Sequence, residues 1–222
     1  MAKLYIVATP IGNLRDITQR AIETLKKVDL ILSEDTRKAK ILLGFLNIKK
    51  PILSYHQHSG PKKIDQVLKL LKEDKDIALI SEAGTPGISD PGGKLVEITR
   101  EKLKNEVEII PIPGPSAITA LASVSGISMD RFLFLGFCPK KKRGKFFQEI
   151  LSSKYPVIFF ESPKRILKTL KQLAQLNENL KVIVGRELTK QFEAIYTGKI
   201  GDVIKEIQET PQKGEFTIIV TQ

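Results

Sequence analysis

SEAGTPGISDPGG, running from Ser81 to Gly93, holds four glycines and two prolines within thirteen residues. An apolar run, Ile77–Ile80, leads into it, and a segment with helical spacing, Lys94–Lys104, leads out. Glycine lets main-chain N–H groups come close to a ligand, and proline fixes the turns around them. In open α/β sheets, a strand end followed by such a loop and a helix start is where ligands bind. An ordinary strand-to-helix connection would also be rich in Gly and Pro. What favours a binding loop is repetition: Thr9–Asn13 (TPIGN) and Pro111–Ser116 (PIPGPS) are of the same kind.

Outward from this loop, the chain alternates. Leu4–Ala8, Leu30–Ser33, Ile52–Tyr55, Ile77–Ile80 and Val107–Ile112 read as short apolar strands. Between them, Ile17–Val28, Lys38–Leu46, Pro61–Glu73 and Leu95–Leu103 have apolar residues at helix spacing, and Asp16 is placed to cap the first. The βαβαβαβαβ pattern predicts a mostly parallel sheet covered by helices. Ser116 is placed to cap a helix over Ala117–Val124. A domain division falls near Pro113, giving an N-terminal α/β domain over 1–113 and a C-terminal α/β domain over 114–222. The second half reads as strands Phe132–Phe137, Val157–Phe160, Val182–Gly185, Ala194–Thr197 and Phe216–Val220, with helices Lys164–Leu176 and Ile200–Gln208 and more antiparallel character.

Composition bounds the function. At 222 residues and 41% hydrophobic, the chain can build real cores. No apolar run reaches membrane-spanning length, and the apolar N-terminal stretch is too short for a signal peptide. The lone Cys138 excludes an internal disulfide and points to a cytoplasmic home. A net charge of +11 favours a polyanionic partner such as RNA. No P-loop, no G-x-G-x-x-G after the first strand and no G-x-S-x-G elbow occurs. One cysteine and two histidines, His56 and His58, give no metal site. What remains is three stiff loops at strand ends, free of lysine, which suit a polar organic cofactor with an apolar part better than a bare phosphate.

The motifs LYIVATPIGNLRDIT, SEDTR, SEAGTPGISDPGG, PIPGPSA, GFCP, FESPKR, RELTK and KGEFTIIV follow one another over nearly the whole chain. Together they resemble the tetrapyrrole methylase superfamily and, within it, the ribosomal RNA small subunit methyltransferase I family. The resemblance implies two α/β domains with S-adenosylmethionine (S-adenosyl-L-methionine) in the cleft between them, and a homodimer. It implies cofactor contacts at Pro10 in the first loop, Ala83, Gly84, Thr85 and Ile88 in the second, and Ser116 and Ala117 in the third. Phe160 and Leu188 fall where the second domain would close over the cofactor. Glu82 stands where the family usually has Asp.

The implied reaction is methyl transfer to the ribose 2′-hydroxyl of a cytidine in the decoding region of 16S rRNA. A hydroxyl is a weak nucleophile, so a carboxylate near a strand end would help to remove its proton. Glu34, Asp35, Asp90, Glu161 and Glu187 are candidates, with Asp35 favoured as the catalytic residue. The run Lys140–Arg143, extended by Lys145, offers cations to an RNA backbone, and Arg15, Arg37, Lys164 and Arg165 lie within the motifs. Two other readings are a tetrapyrrole methyltransferase of the same fold and a non-catalytic RNA-binding module. The basic run favours RNA over the first, and cofactor binding would exclude the second.

Overall fold

The computed structural model describes residues 1–56 and 59–222. The chain forms two compact units, Met1–Ser116 and Ala117–Gln222. The sequence places the division after Pro113; the compact units divide after Ser116.

The first unit is a sheet of β1 (Ala2–Val7), β2 (Leu30–Ser33), β3 (Ile52–Ser54), β4 (Ile77–Ile80) and β5 (Val107–Ile112). Every pairing is parallel and the order is β3-β2-β4-β1-β5. Helices α1 (Gln19–Lys27), α2 (Thr36–Phe45), α3 (Pro61–Lys72) and α4 (Gly93–Leu103) cover it. Leu25 of α1 and Leu43 of α2 pack with Ile31 and Ala78 on one face. Leu68 and Leu71 of α3 and Leu95 of α4 pack with Leu32 and Leu79 on the other. Covered on both sides, β4 is buried at every position, which is why it reads as unbroken apolar residues rather than as an alternation.

The cap of α1 differs from expectation. Asp16 closes a short 3-10 turn, Leu14–Asp16, and Thr18 starts the helix, its Oγ1 accepting from the Ala21 N–H at 3.1 Å. Thr18 has the extended backbone that a capping residue needs, and its third helical residue lies within reach. Likewise α2 opens two residues before the expected Lys38, because Asp35 caps it.

The second unit mixes directions. Its strands β6 (Leu133–Phe137), β7 (Val157–Glu161), β8 (Lys181–Arg186), β9 (Ala194–Lys199) and β10 (Phe216–Thr221) take the order β6-β7-β10-β8-β9. Only β6 and β7 are parallel; the other pairs are antiparallel. Helices α5 (Ala117–Ser123), α6 (Gly144–Ser152), α7 (Ile166–Leu176) and α8 (Ile200–Gln208) accompany them. Phe147, Leu170, Leu173 and Val203 of these helices share one core with Phe159, Val184 and Ile218. Helix α6 is absent from the sequence reading. It opens on glycine behind a run of cations, with no side-chain cap to announce it. Among the described residues, no helix is long and apolar enough to cross a membrane.

Gly185 of β8 is set by packing. A Cβ there would lie 2.9 Å from both Leu121 and Leu188 side chains, closer than carbon atoms tolerate. Gly185→Ala is therefore expected to destabilise the protein by about 1–3 kcal/mol, read as a lower midpoint in urea unfolding.

Candidate active site

Strand order brings the three Gly/Pro loops together. They leave the C-terminal ends of β1, β4 and β5, and these strands are neighbours, in the order β4-β1-β5. Thr9 and Gly84 then form a reciprocal bridge, with Thr9 N–H donating to the Gly84 carbonyl at 2.8 Å and Gly84 N–H to the Thr9 carbonyl at 3.0 Å. The Ser81 hydroxyl donates to the same Gly84 carbonyl at 2.9 Å. Thr85 Oγ1 donates to the Pro115 carbonyl at 3.2 Å, tying the second loop to the third. Ala8 N–H reaches the Ile112 carbonyl at 3.1 Å, tying the first to the third.

These ties place Pro10, Ala83, Gly84, Thr85 and Ser116 on one set of cross-linked turns. Pro10 and Gly84 are buried, Ala83, Thr85, Ser116 and Ala117 half-buried, and Ile88 exposed. Gly84 has φ +80°, and a Cβ would lie 3.4 Å from Ile11 Cγ2 and 3.6 Å from the Pro115 carbonyl. Thr9 and Ser81 were not singled out from sequence, yet both are buried and both hold the bridge. The signal for Ser81 is a hydroxyl residue directly behind an all-apolar parallel strand, where an unmet polar group would be costly; Thr9, two residues past β1, has a weaker one.

Ala117 opens the second unit, within which Phe160 and Leu188 also lie. Phe160 ends a cluster of aromatic rings, with centroids 5.1 Å from Phe134 and 5.2 Å from Phe137. Leu188 is buried against Gly185 and sits between Glu187 and Thr189, whose φ values of 51° and 66° give the loop an unusual backbone.

The candidate carboxylates separate by environment. Asp35 Oδ1 accepts from Arg37 N at 2.8 Å and Nε at 3.1 Å, while Oδ2 accepts from Nη2 at 2.8 Å. These bonds from Arg37 hold its carboxyl down at about 2. So weak a base is poorly suited to take a hydroxyl proton at neutral pH, and the geometry is that of a helix cap holding Arg37 in place. Glu161 is buried and grips two guanidiniums, Arg165 at 2.7 Å and Arg143 at 3.3 Å, as well as Thr169 Oγ1 at 2.5 Å. Burial pushes Glu187 up, but the Glu215 amide and Lys190 outweigh it and leave the carboxyl lowered. Glu34 is exposed and Asp90 half-buried.

Arg143 corrects one expectation. Rather than joining Lys140–Lys142 as a surface cation, its guanidinium turns inward to Glu161, Thr169 and Gln172 and stacks on Phe147 at 4.9 Å. A buried carboxylate needs such a partner, and the helix that follows supplies the aromatic face. Arg165 is likewise spent on Glu161, whereas Lys140, Lys141, Lys142, Lys145, Lys164 and Arg15 reach solvent. Among the described residues, no group of three His, Cys, Asp or Glu is arranged for a metal; His58 lies outside them.

Residues 3–204 match the family model described as Tetrapyrrole (Corrin/Porphyrin) Methylases. The chain belongs to the tetrapyrrole methylase family. Within it, the sequence is 42% identical over 222 residues to "Ribosomal RNA small subunit methyltransferase I" of Thermotoga maritima, covering 100% of this chain and 99% of that one. A protein of the same name from Haemophilus influenzae is 46% identical, covering 98% of this chain and 77% of that one. The fold is similar to solved structures of diphthine synthase (TM-score 0.73, 12% identity, 99% and 90% covered) and of cobalt precorrin-4 methyltransferase (0.71, 18%, 98% and 94%). This tetrapyrrole methylase is thus a methyltransferase, and its methyl donor is S-adenosylmethionine.

The residues present fit that donor. The three loops carry Glu82 and Asp90 and no Lys or Arg, a balance suited to a cationic sulfonium and unsuited to phosphate. Glu82 is partly offset by its ion pair with Lys38. Gly84 keeps the meeting point of the loops open, since only a residue without a side chain sits there unstrained. Gly84→Ala is expected to cost roughly 1–2 kcal/mol in the left-handed conformation, read as a lower midpoint in urea unfolding. Asp35→Asn keeps a cap acceptor and loses the ion pair. A proton-accepting role requires a loss of about 10²–10⁴-fold in single-turnover methyl transfer; the observed geometry predicts a loss below about tenfold.

Proposed function

We propose that this enzyme transfers the methyl group of S-adenosylmethionine to the ribose 2′-hydroxyl of a cytidine in the decoding region of 16S rRNA. The observation that carries the reading is the 42% identity across the full chain to a relative bearing the name ribosomal RNA small subunit methyltransferase I. The net charge of +11 and the exposed Lys140, Lys141, Lys142 and Lys145 support an RNA substrate. The likeness to a corrinoid enzyme, at 18% identity, speaks for the fold alone.

When bound, S-adenosylmethionine supplies a methyl group already activated on a sulfonium. Main-chain groups around Pro10, Ala83, Gly84, Thr85, Ile88, Ser116 and Ala117 would hold it. The chain's main task is then alignment of the hydroxyl behind the methyl carbon, which is worth ~7–11 kcal/mol when complete. Asp35 serves it by fixing Arg37, whose guanidinium is held along one edge and still exposed enough to meet a phosphate beside the reacting ribose. The enzyme works in the cytoplasm as a homodimer. Mass mapping of 16S rRNA from deletion and rescue strains is expected to show one ribose methyl on a decoding-region cytidine lost and restored. An unchanged map, or transfer to a uroporphyrinogen-type macrocycle and not to small subunits, would overturn the reading.

A further inference from the structure

From Thr36 to Ile64 the sequence holds seven Lys or Arg and no Asp or Glu. The rest of the first unit holds twelve cations and fifteen carboxylates. The basic stretch comprises α2, the edge strand β3 and the start of α3. Along α2 and β3 it forms an open groove of about 330 Å³ lined by Thr36, Lys40, Gly44, Lys49, Lys50 and Ile52. Thr36, the first residue of α2, adjoins Asp35 and Arg37, so the groove begins at the same end of the sheet as the three ligand loops.

Four lysines of this unit outside the basic stretch have carboxylates to hand, Lys69 among them. Lys3 meets Glu108 at 3.5 Å, Lys94 meets Glu97 at 2.8 Å and Lys102 meets Asp65 at 3.3 Å. Among the described residues, Lys40, Lys49 and Lys50 make no ion pair. Beside them on α2, Ile41 is 65% exposed and Phe45 50% exposed. Unpaired cations round a groove, with Ile41 and Phe45 exposed one turn apart on the adjoining face of α2, match a polyanion whose bases are free to stack.

We infer that this groove binds an unpaired stretch of the RNA substrate, with Lys40, Lys49 and Lys50 on backbone phosphates and Phe45 under a base. The inference rests on the RNA reading above and names a surface which that reading does not require. An RNA strand held there would run along α2 away from the cofactor loops, giving the enzyme a second grip besides Lys140–Lys142.

The test is filter binding of the full-length enzyme to small ribosomal subunits from a deletion strain, between about 50 and 200 mM KCl. The triple variant K40Q/K49Q/K50Q is expected to lower the slope of log affinity against log salt by about 2, since each phosphate contact accounts for about 0.7–0.9. Triple replacement by Arg is expected to restore the slope. Phe45→Ala is expected to weaken binding with the slope unchanged, because stacking releases no counterions. S-adenosylmethionine affinity, measured by calorimetry, should stay at the wild-type value in all of them and confirms that each variant is folded. If the slope stays at the wild-type value in the Gln variant but falls in K140Q/K141Q/K142Q, the groove assignment is wrong and the RNA reading stands. Wild-type binding without salt dependence would overturn both. Should the Gln variant aggregate, or Phe45→Ala change the sedimenting species, with RNA affinity intact, the lysines guard edge strand β3 or α2 meets a second copy, and the inference falls.

Discussion

The pair of hydrogen bonds between Thr9 and Gly84 is the constraint on which the site depends. Thr9 stands two residues past the end of β1 and Gly84 four past the end of β4, so neither belongs to the parallel ladder, yet together they add one antiparallel step. That step cross-links β1 and β4 where the sheet would otherwise fray into two independent loops. The Gly84 carbonyl accepts from both the Thr9 amide and the Ser81 hydroxyl, so little freedom remains at the junction. Pro115 then receives Thr85, and the third loop is held by the second. A binding surface made of main-chain groups needs such stiffness, because a loose loop would have to be ordered at the moment of binding.

The topology explains why this constraint is available. Five parallel strands could carry their ligand loops anywhere along the sheet. With the order β3-β2-β4-β1-β5, the three Gly/Pro loops leave adjacent strands, while the more charged Glu34–Arg37 turn leaves β2 on the outer side of β4. Helices on both faces bury the central strand β4 fully, which leaves its end as the place where it presents backbone to a ligand.

Much of this was legible in the residues. Ile77–Ile80, Val107–Ile112 and Ile200–Gln208 read at their observed bounds, because polar, Gly or Pro residues flank each and its apolar residues keep one spacing. The loops announced themselves through Gly and Pro. Less legible was whatever depends on distant partners. Asp16 and Thr18 compete for the same cap, and only the 3-10 turn decides between them. Helix α6 lacks a start signal. Arg143 reads as one more cation in a basic run, since its counter-charge, Glu161, is eighteen positions away. Asp35 reads as a reactive carboxylate at a strand end, and its engagement by Arg37 is a matter of local geometry that no motif states.

Charge is also sorted within the first unit, and sorting has a physical consequence. At physiological ionic strength a charge is felt over about 8 Å, so net charge counts for less than its placement. An evenly basic surface would draw RNA onto the donor loops and repel a sulfonium from them. Here the turns that meet at Gly84 carry carboxylates only, and the cations stand on α2 and at the approach to β3. On the proposed reading, one small sheet holds a cationic donor and a polyanionic acceptor side by side without either binding in the other's place. Lys38, which reaches back from α2 to Glu82, marks the border between the two regions.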